Sequence, residues 1–177
     1  MKHFLKWGLS PFFLSLVLIV AKPAHGEERV LELGKGDTLR YEVLDSSAPE
    51  SRSARATAGQ ILRHLAEGSI EKAAALSNAP QRRYEVLRDY RAAVGDEEFK
   101  RVFAQYLGNR IVEEIAIGPR RLIIWDLAEA SHQLAGQYYV EVEGRFLMDD
   151  VPGEERSRLA RVLQSYRKSA TPSKQKD

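Results

Sequence analysis

The sequence predicts an α+β domain in which N-terminal helices pack on a curved antiparallel sheet. Two observations carry this. Between residues 56 and 107 apolar side chains recur at helical spacing, as in Phe99, Val102, Phe103, Tyr106 and Leu107. Beyond Asn109 the period falls from about 3.6 to 2, the alternation of strands, and holds to Asp149. An alternating segment precedes the helices and an amphipathic stretch follows the strands. The domain is therefore extended at both ends, by an N-terminal hairpin and a C-terminal helix.

The hairpin is predicted from residues 30–33 and 38–44, which flank Gly34-Lys35-Gly36-Asp37, with Leu39, Tyr41 and Val43 alternating against Arg40 and Glu42. Residues 45–53, Asp-Ser-Ser-Ala-Pro-Glu-Ser-Arg-Ser, have no apolar period and read as a linker that separates the hairpin from the main body. Ile61, Leu62 and Leu65 mark a first helix over 56–67, ended by Gly68. Ser69 caps a short Ala-rich helix, and Asn78-Ala79-Pro80 breaks the chain. Tyr84, Leu87, Tyr90 and Val94 define a third helix closed by Gly95, after which Asp96 is the expected N-cap of a fourth. Residues 110–117, 120–127, 137–142 and 145–149 read as strands, with Gly118-Pro119, the segment 129–136 and Gly144 as turns. The last helix, 154–168, carries Leu159, Val162, Leu163 and Tyr166 on one side and Arg156, Arg158, Arg161, Arg167 and Lys168 on the other.

The first 26 residues read as a secretory signal peptide. Lys2, His3 and Lys6 form a basic start, residues 9–21 are mostly apolar, and Ala24-His25-Gly26 places cleavage before Glu27. An uncleaved anchor is the alternative, but Lys22 and Pro23 cut the run short of the roughly 20 apolar residues a span requires. No later stretch approaches that length, so the mature chain is expected without a transmembrane span, in a bacterial periplasm. The divisions are then 1–26 signal peptide, 27–53 hairpin and linker, 54–152 α+β domain, and 153–177 helix and polar tail.

Composition narrows the chemistry. With no cysteine, the chain has no disulfide, no thiol nucleophile and no Cys-ligated metal or iron–sulfur site. Stability must come from a packed core, and a chain of this size buries about 68–70% of its unfolded surface. The signal region holds Lys2, Lys6 and Lys22 and no acid, so the remainder carries 24 basic and 25 acidic side chains, a net of −1. A near-neutral body with interspersed charges does not suit nucleic acid.

The stretch from Gln60 to Leu76, QILRHLAEGSIEKAAAL, resembles the opening of the nuclear-transport-factor-2-like superfamily: a helix, a Gly-polar break, and a short Ala-rich helix. Gly144-Arg145-Phe146-Leu147-Met148-Asp149-Asp150-Val151 is similar to its closing strand. The resemblance spans residues 56–151 and implies a cone whose curved sheet and helices enclose an apolar pocket. Members include ketosteroid-isomerase-like and SnoaL-like enzymes, and many exported domains without assigned activity. The resemblance also implies dimerisation through the outer sheet surface. The added hairpin and basic helix depart from that pattern, and fold alone does not carry function.

Strand 120–127 is apolar on both faces, Leu122 and Ile124 on one and Ile123 and Trp125 on the other. Something must cover the outer face: the C-terminal helix, the hairpin or a second copy of the chain. A cone lined by Phe99, Phe103, Tyr106, Leu122, Ile124, Tyr139 and Phe146 would hold an apolar small molecule or side chains of an envelope protein. The same aromatics at helical spacing also suit a self-filled core, which would leave a pocketless interaction module.

An enzymatic reading, a cofactor-independent isomerase or cyclase, rests on Asp126 with Tyr139 as hydrogen-bond donor. A carboxyl withdrawn from water holds its proton more tightly and can serve as acid or base. The competing account puts Asp126 at a strand end, satisfied by solvent or turn groups. His132, in the 129–136 loop, is a further catalytic candidate, with a surface position as the alternative; His64 sits on the polar side of the first helix, and neither has metal-ligand spacing, so no metal or cofactor is expected. There is no G-x-S-x-G, and Gly34-Lys35-Gly36 lacks P-loop spacing. The acid pairs Glu113-Glu114 and Asp149-Asp150 place neighbours on opposite strand faces, which does not make a shared-proton dyad. Arg120-Arg121 and the basic side of the last helix would suit an anionic partner or lipid headgroups, or simply solvent.

Overall fold

The computed structural model describes residues 26–45, 53–127 and 133–170. The expected signal segment through His25, most of the predicted linker, His132 and the polar tail lie outside the described residues. The order is β1 (Glu27–Gly34), β2 (Asp37–Val43), α1 (Ala54–Ala66), α2 (Ile70–Ala74), α3 (Pro80–Val94), α4 (Asp96–Tyr106), β3 (Arg110–Ile117), β4 (Arg120–Leu127), β5 (Gln133–Val142), β6 (Arg145–Met148) and α5 (Glu154–Ala170). The fold is α+β. Among the described residues six strands pair antiparallel in chain order, with β1 and β6 at the edges, so the sheet they form does not close.

Tight turns make this meander. Gly118 at φ +55° followed by Pro119 joins β3 to β4, and Glu143-Gly144, both at positive φ, join β5 to β6. Such turns match the right-handed twist of adjoining strands. The β1–β2 pair is not set apart from the body. Glu42 and Val43 pair with Ala116 and Ile115, and the Leu44 amide donates to the Glu114 carbonyl at 2.8 Å. Extended backbone reaching the open edge of β3 gains ladder hydrogen bonds that a free-standing hairpin would leave to water.

The sheet divides the apolar interior into two layers. On one side Ile61, Leu62 and Leu65 of α1, Ile70 of α2, Leu87 of α3 and Phe99 of α4 pack on Ile123, Trp125 and Tyr139. On the other, Leu159, Val162 and Leu163 of α5 pack on Leu39, Ile115, Leu122 and Ile124. The element covering the outer face is therefore α5. The apolar surface that made self-association attractive is satisfied within the chain. Among the described residues no helix is long and apolar enough to cross a membrane.

Local boundaries differ from expectation for identifiable reasons. Strand β5 begins at Gln133, not Gln137, because Gly136 is no turn residue. A Cβ there would lie 2.5 Å from Leu163 Cδ2 and 2.9 Å from Leu122 Cδ1, so the glycine admits α5 to the sheet. Asp96 does not cap α4. It is the first helical residue, and its carboxylate pairs with Arg91 and with Lys100 at 2.6 Å. Ser53, assigned to the linker, caps α1 by accepting from the Ala56 amide at 3.1 Å.

Candidate functional site

A cleft of about 250 Å³ opens on the helical side, where β4 ends and β5 begins. Leu62 of α1 and Tyr106 of α4 form one wall with Asn109. Trp125 and Leu127 of β4, with Ala135, Gly136 and Gln137 of β5, form the other. Strand alternation explains this wall: Trp125 stands opposite Ala135 and Ile123 opposite Gln137, so odd-numbered residues of both strands share the helical face. Among the described residues no charged side chain lines the cleft.

Gln137 is its organising polar group. Trp125 Nε1 donates to Gln137 Oε1 at 3.0 Å, and Tyr139 Oη donates to the same oxygen at 2.9 Å. An indole N–H can only donate, so the bond from Trp125 fixes which end of the amide is oxygen. The Gln137 NH₂ is then the end not engaged by these two rings. Tyr139 is fully buried, and loss of hydration drives its phenol well above the ordinary range, so it remains a neutral donor.

Behind the cleft the aromatic rings form a continuous array. Phe99 and Phe103 lie 4.8 Å apart, Tyr90 is 5.8 Å from Phe99, and Phe103 is 6.0 Å from Tyr106. These spacings are typical of favourable tilted and edge-to-face pairs. The array fixes Tyr106, the one of these rings that reaches the cleft, against the core.

The residues expected to share one lining are split by the sheet. Phe99, Phe103, Tyr139 and Phe146 belong to the helical-side core, and Arg121 stacks 5.2 Å from the Phe146 ring centroid. Only Tyr106 among the expected residues lines the cleft. Leu122 and Ile124 face α5 and contribute nothing to it. Asp126 follows the parity of Leu122 and Ile124, opposite Leu134, so it does not meet Tyr139. Its Oδ2 accepts from Arg110 Nη2 at 3.0 Å across the β3–β4 ladder. His64 Nδ1 stands 3.7 Å from Glu67 Oε2 on α1, and among the described residues no group of acids and histidines converges to hold a metal ion. Sequence reasoning missed Gln137, Trp125, Leu62, Leu127, Ala135 and Asn109. The available signal was Ala135-x-Gln137-x-Tyr139, a polar side chain at an inward position of a strand.

Two other polar regions are already satisfied. Asp149, essentially inaccessible, accepts from Arg120 Nε at 2.9 Å and Asn78 Nδ2 at 2.7 Å. Asp150 accepts from Ser77 Oγ at 2.6 Å and pairs with Arg83, while Arg120 also pairs with Glu155 of α5. The adjacent acids thus turn to different bases and clasp the α2–α3 connection, β4 and α5 together. A hollow of about 350 Å³ between β2 and β3 is lined by Glu28, Arg40, Tyr41, Glu42, Ala116, Ile117, Gly118 and Arg121. Its Arg40 pairs with Glu28 at 3.1 Å and its Arg121 donates to the Gly118 carbonyl at 2.8 Å, so its cations are engaged.

The chain matches no known protein-family model, no curated protein and no solved structure.

Proposed function

We propose that the protein is an exported accessory protein of the bacterial envelope that holds an apolar small molecule in the cleft beside Trp125. The observation that carries this is the cleft itself: a largely apolar hollow, without charge among the described residues, with polar groups from Gln137 and Asn109. Few polar groups in an apolar hollow suit recognition better than acid–base chemistry. An acid–base reaction using Asp126 and Tyr139 finds no support in their positions on opposite faces of the sheet. The nuclear-transport-factor-2-like resemblance belongs to this reading, supported by helices stacked on one face of an antiparallel meander. The periplasmic location rests on the signal-like residues 1–26.

Titration with the neutral fluorescent probe N-phenyl-1-naphthylamine tests the reading. Ala135→Phe places an aromatic ring in the cleft without adding charge. Saturable binding to the wild-type chain, lost in Ala135→Phe while its circular dichroism is retained, is the expected result. Equal binding by both chains, or by neither, would remove the cleft as the site.

A further inference from the structure

The geometry points to a narrower ligand class: a neutral molecule whose apolar body carries a hydrogen-bond acceptor such as a ketone, ester or amide carbonyl, received by the Gln137 NH₂. This rests on the cleft being the binding site. The orientation of one amide sets the class. Trp125 Nε1 and Tyr139 Oη both donate to Gln137 Oε1, at 3.0 and 2.9 Å. Flipping the amide would set its NH₂ against the indole N–H, two donors in contact beside a buried phenol. The flip is excluded by that clash. The cleft therefore meets its contents with a donor at Gln137, and the fitting ligand atom is an acceptor.

Charge sets the second half of the specification. Among the described residues the lining, from Leu62 and Tyr106 to Trp125 and Gln137, includes no cation. A carboxylate or phosphate entering would lose water without gaining a counter-ion, which costs more than one amide hydrogen bond returns. Of the two guanidiniums next to lining residues in sequence, Arg63 is exposed, and Arg110 is largely solvent-exposed and committed to Asp126 on the other face. A carbonyl, in contrast, loses far less than an ion on transfer and regains its hydrogen bond from the amide.

The test is a thermodynamic cycle with two probes of similar size, acetophenone and isopropylbenzene, on the full chain and on Gln137→Glu. Glutamate keeps an oxygen for Trp125 and Tyr139 and removes the NH₂. Binding is read by displacement of N-phenyl-1-naphthylamine at neutral pH. The preference for ketone over hydrocarbon should fall about threefold to tenfold in Gln137→Glu, beyond the loss both probes share from a carboxylate in the lining. In the wild-type chain, the Gln137 side-chain NH₂ resonances should move with acetophenone and stay with isopropylbenzene, a readout that stands even if the variant does not fold. Benzoate should bind more weakly than acetophenone. If both probes bind with the same ratio in both chains and the Gln137 resonances do not respond, the donor assignment is wrong while the cleft stands. If neither probe binds the wild-type chain, the cleft reading falls and this inference falls with it.

Discussion

Gly136→Ala tests the packing of α5 on the sheet at one atom. The added Cβ would meet Leu163 Cδ2 at 2.5 Å, Leu122 Cδ1 at 2.9 Å and Leu163 Cδ1 at 3.3 Å. Carbon atoms pack best at about 3.5–4.0 Å, so the nearest methyl must retreat by roughly 1 Å. Neither leucine has open space, being 4% and 0% exposed. Such overpacking costs about 1–3 kcal/mol, and alanine returns about 0.4–1 kcal/mol by restricting the unfolded chain. The net expectation is a loss of about 1–2 kcal/mol, a fall in Tm of about 2–8 °C for a domain of this size. Leu163→Ala alone should cost about 2–5 kcal/mol through the cavity it leaves. In the double variant the alanine methyl enters that cavity, so the two effects should fall short of additivity by about 1 kcal/mol or more. Urea unfolding followed by circular dichroism measures all three chains. A neutral Gly136→Ala together with an additive double variant would refute the docking of α5 on this face.

Two further outcomes follow from the same structure. Arg120→Met should destabilise by about 3–5 kcal/mol in urea unfolding, because it strands the buried Asp149 carboxylate; a loss under 1 kcal/mol would show that Asn78 suffices. Tyr166, against β1 and β3, is pushed up to about 12, first by burial and then by Glu113. Its folded-state pKa lies above the unfolded value near 10, so its contribution is fully present below pH 10 and is lost as pH rises through 12. Tyr139, also raised by burial, acts in the same direction. Unfolding free energy should decline from pH 10 upward, and less steeply in Tyr166→Phe; identical slopes would rule out Tyr166 as a contributor.

How much of this was legible depended on whether the cause was local. The switch of period at Asn109, the Gly118-Pro119 turn and the apolar stripe of α4 are written within a few residues, and the elements follow them. Strand β4, apolar on both faces, announced that both would be covered. It could not say by what, nor which parity faced the helices, because Leu122/Ile124 and Ile123/Trp125 are equally apolar and a period of 2 has no preferred sign. That ambiguity merged Leu122 and Ile124 with Phe99 and Tyr106 in one expected lining. Gly136 was misassigned for a related reason. Glycine punctuates turns and also admits close neighbours, and the neighbour here, Leu163, lies far along the chain. The Asp149 and Asp150 clasp likewise joins residues from α3, β4 and α5, whose proximity only the fold creates.

The most direct test of the central claim is heteronuclear NMR of the chain titrated with acetophenone. The account predicts saturable shifts at the Trp125 indole N–H, the Gln137 side-chain NH₂ and the Ala135 methyl, while Leu159 and Val162 on the α5 side stay unmoved. Shifts confined to the α5 side, or no saturable shift at Trp125 and Gln137, would contradict it.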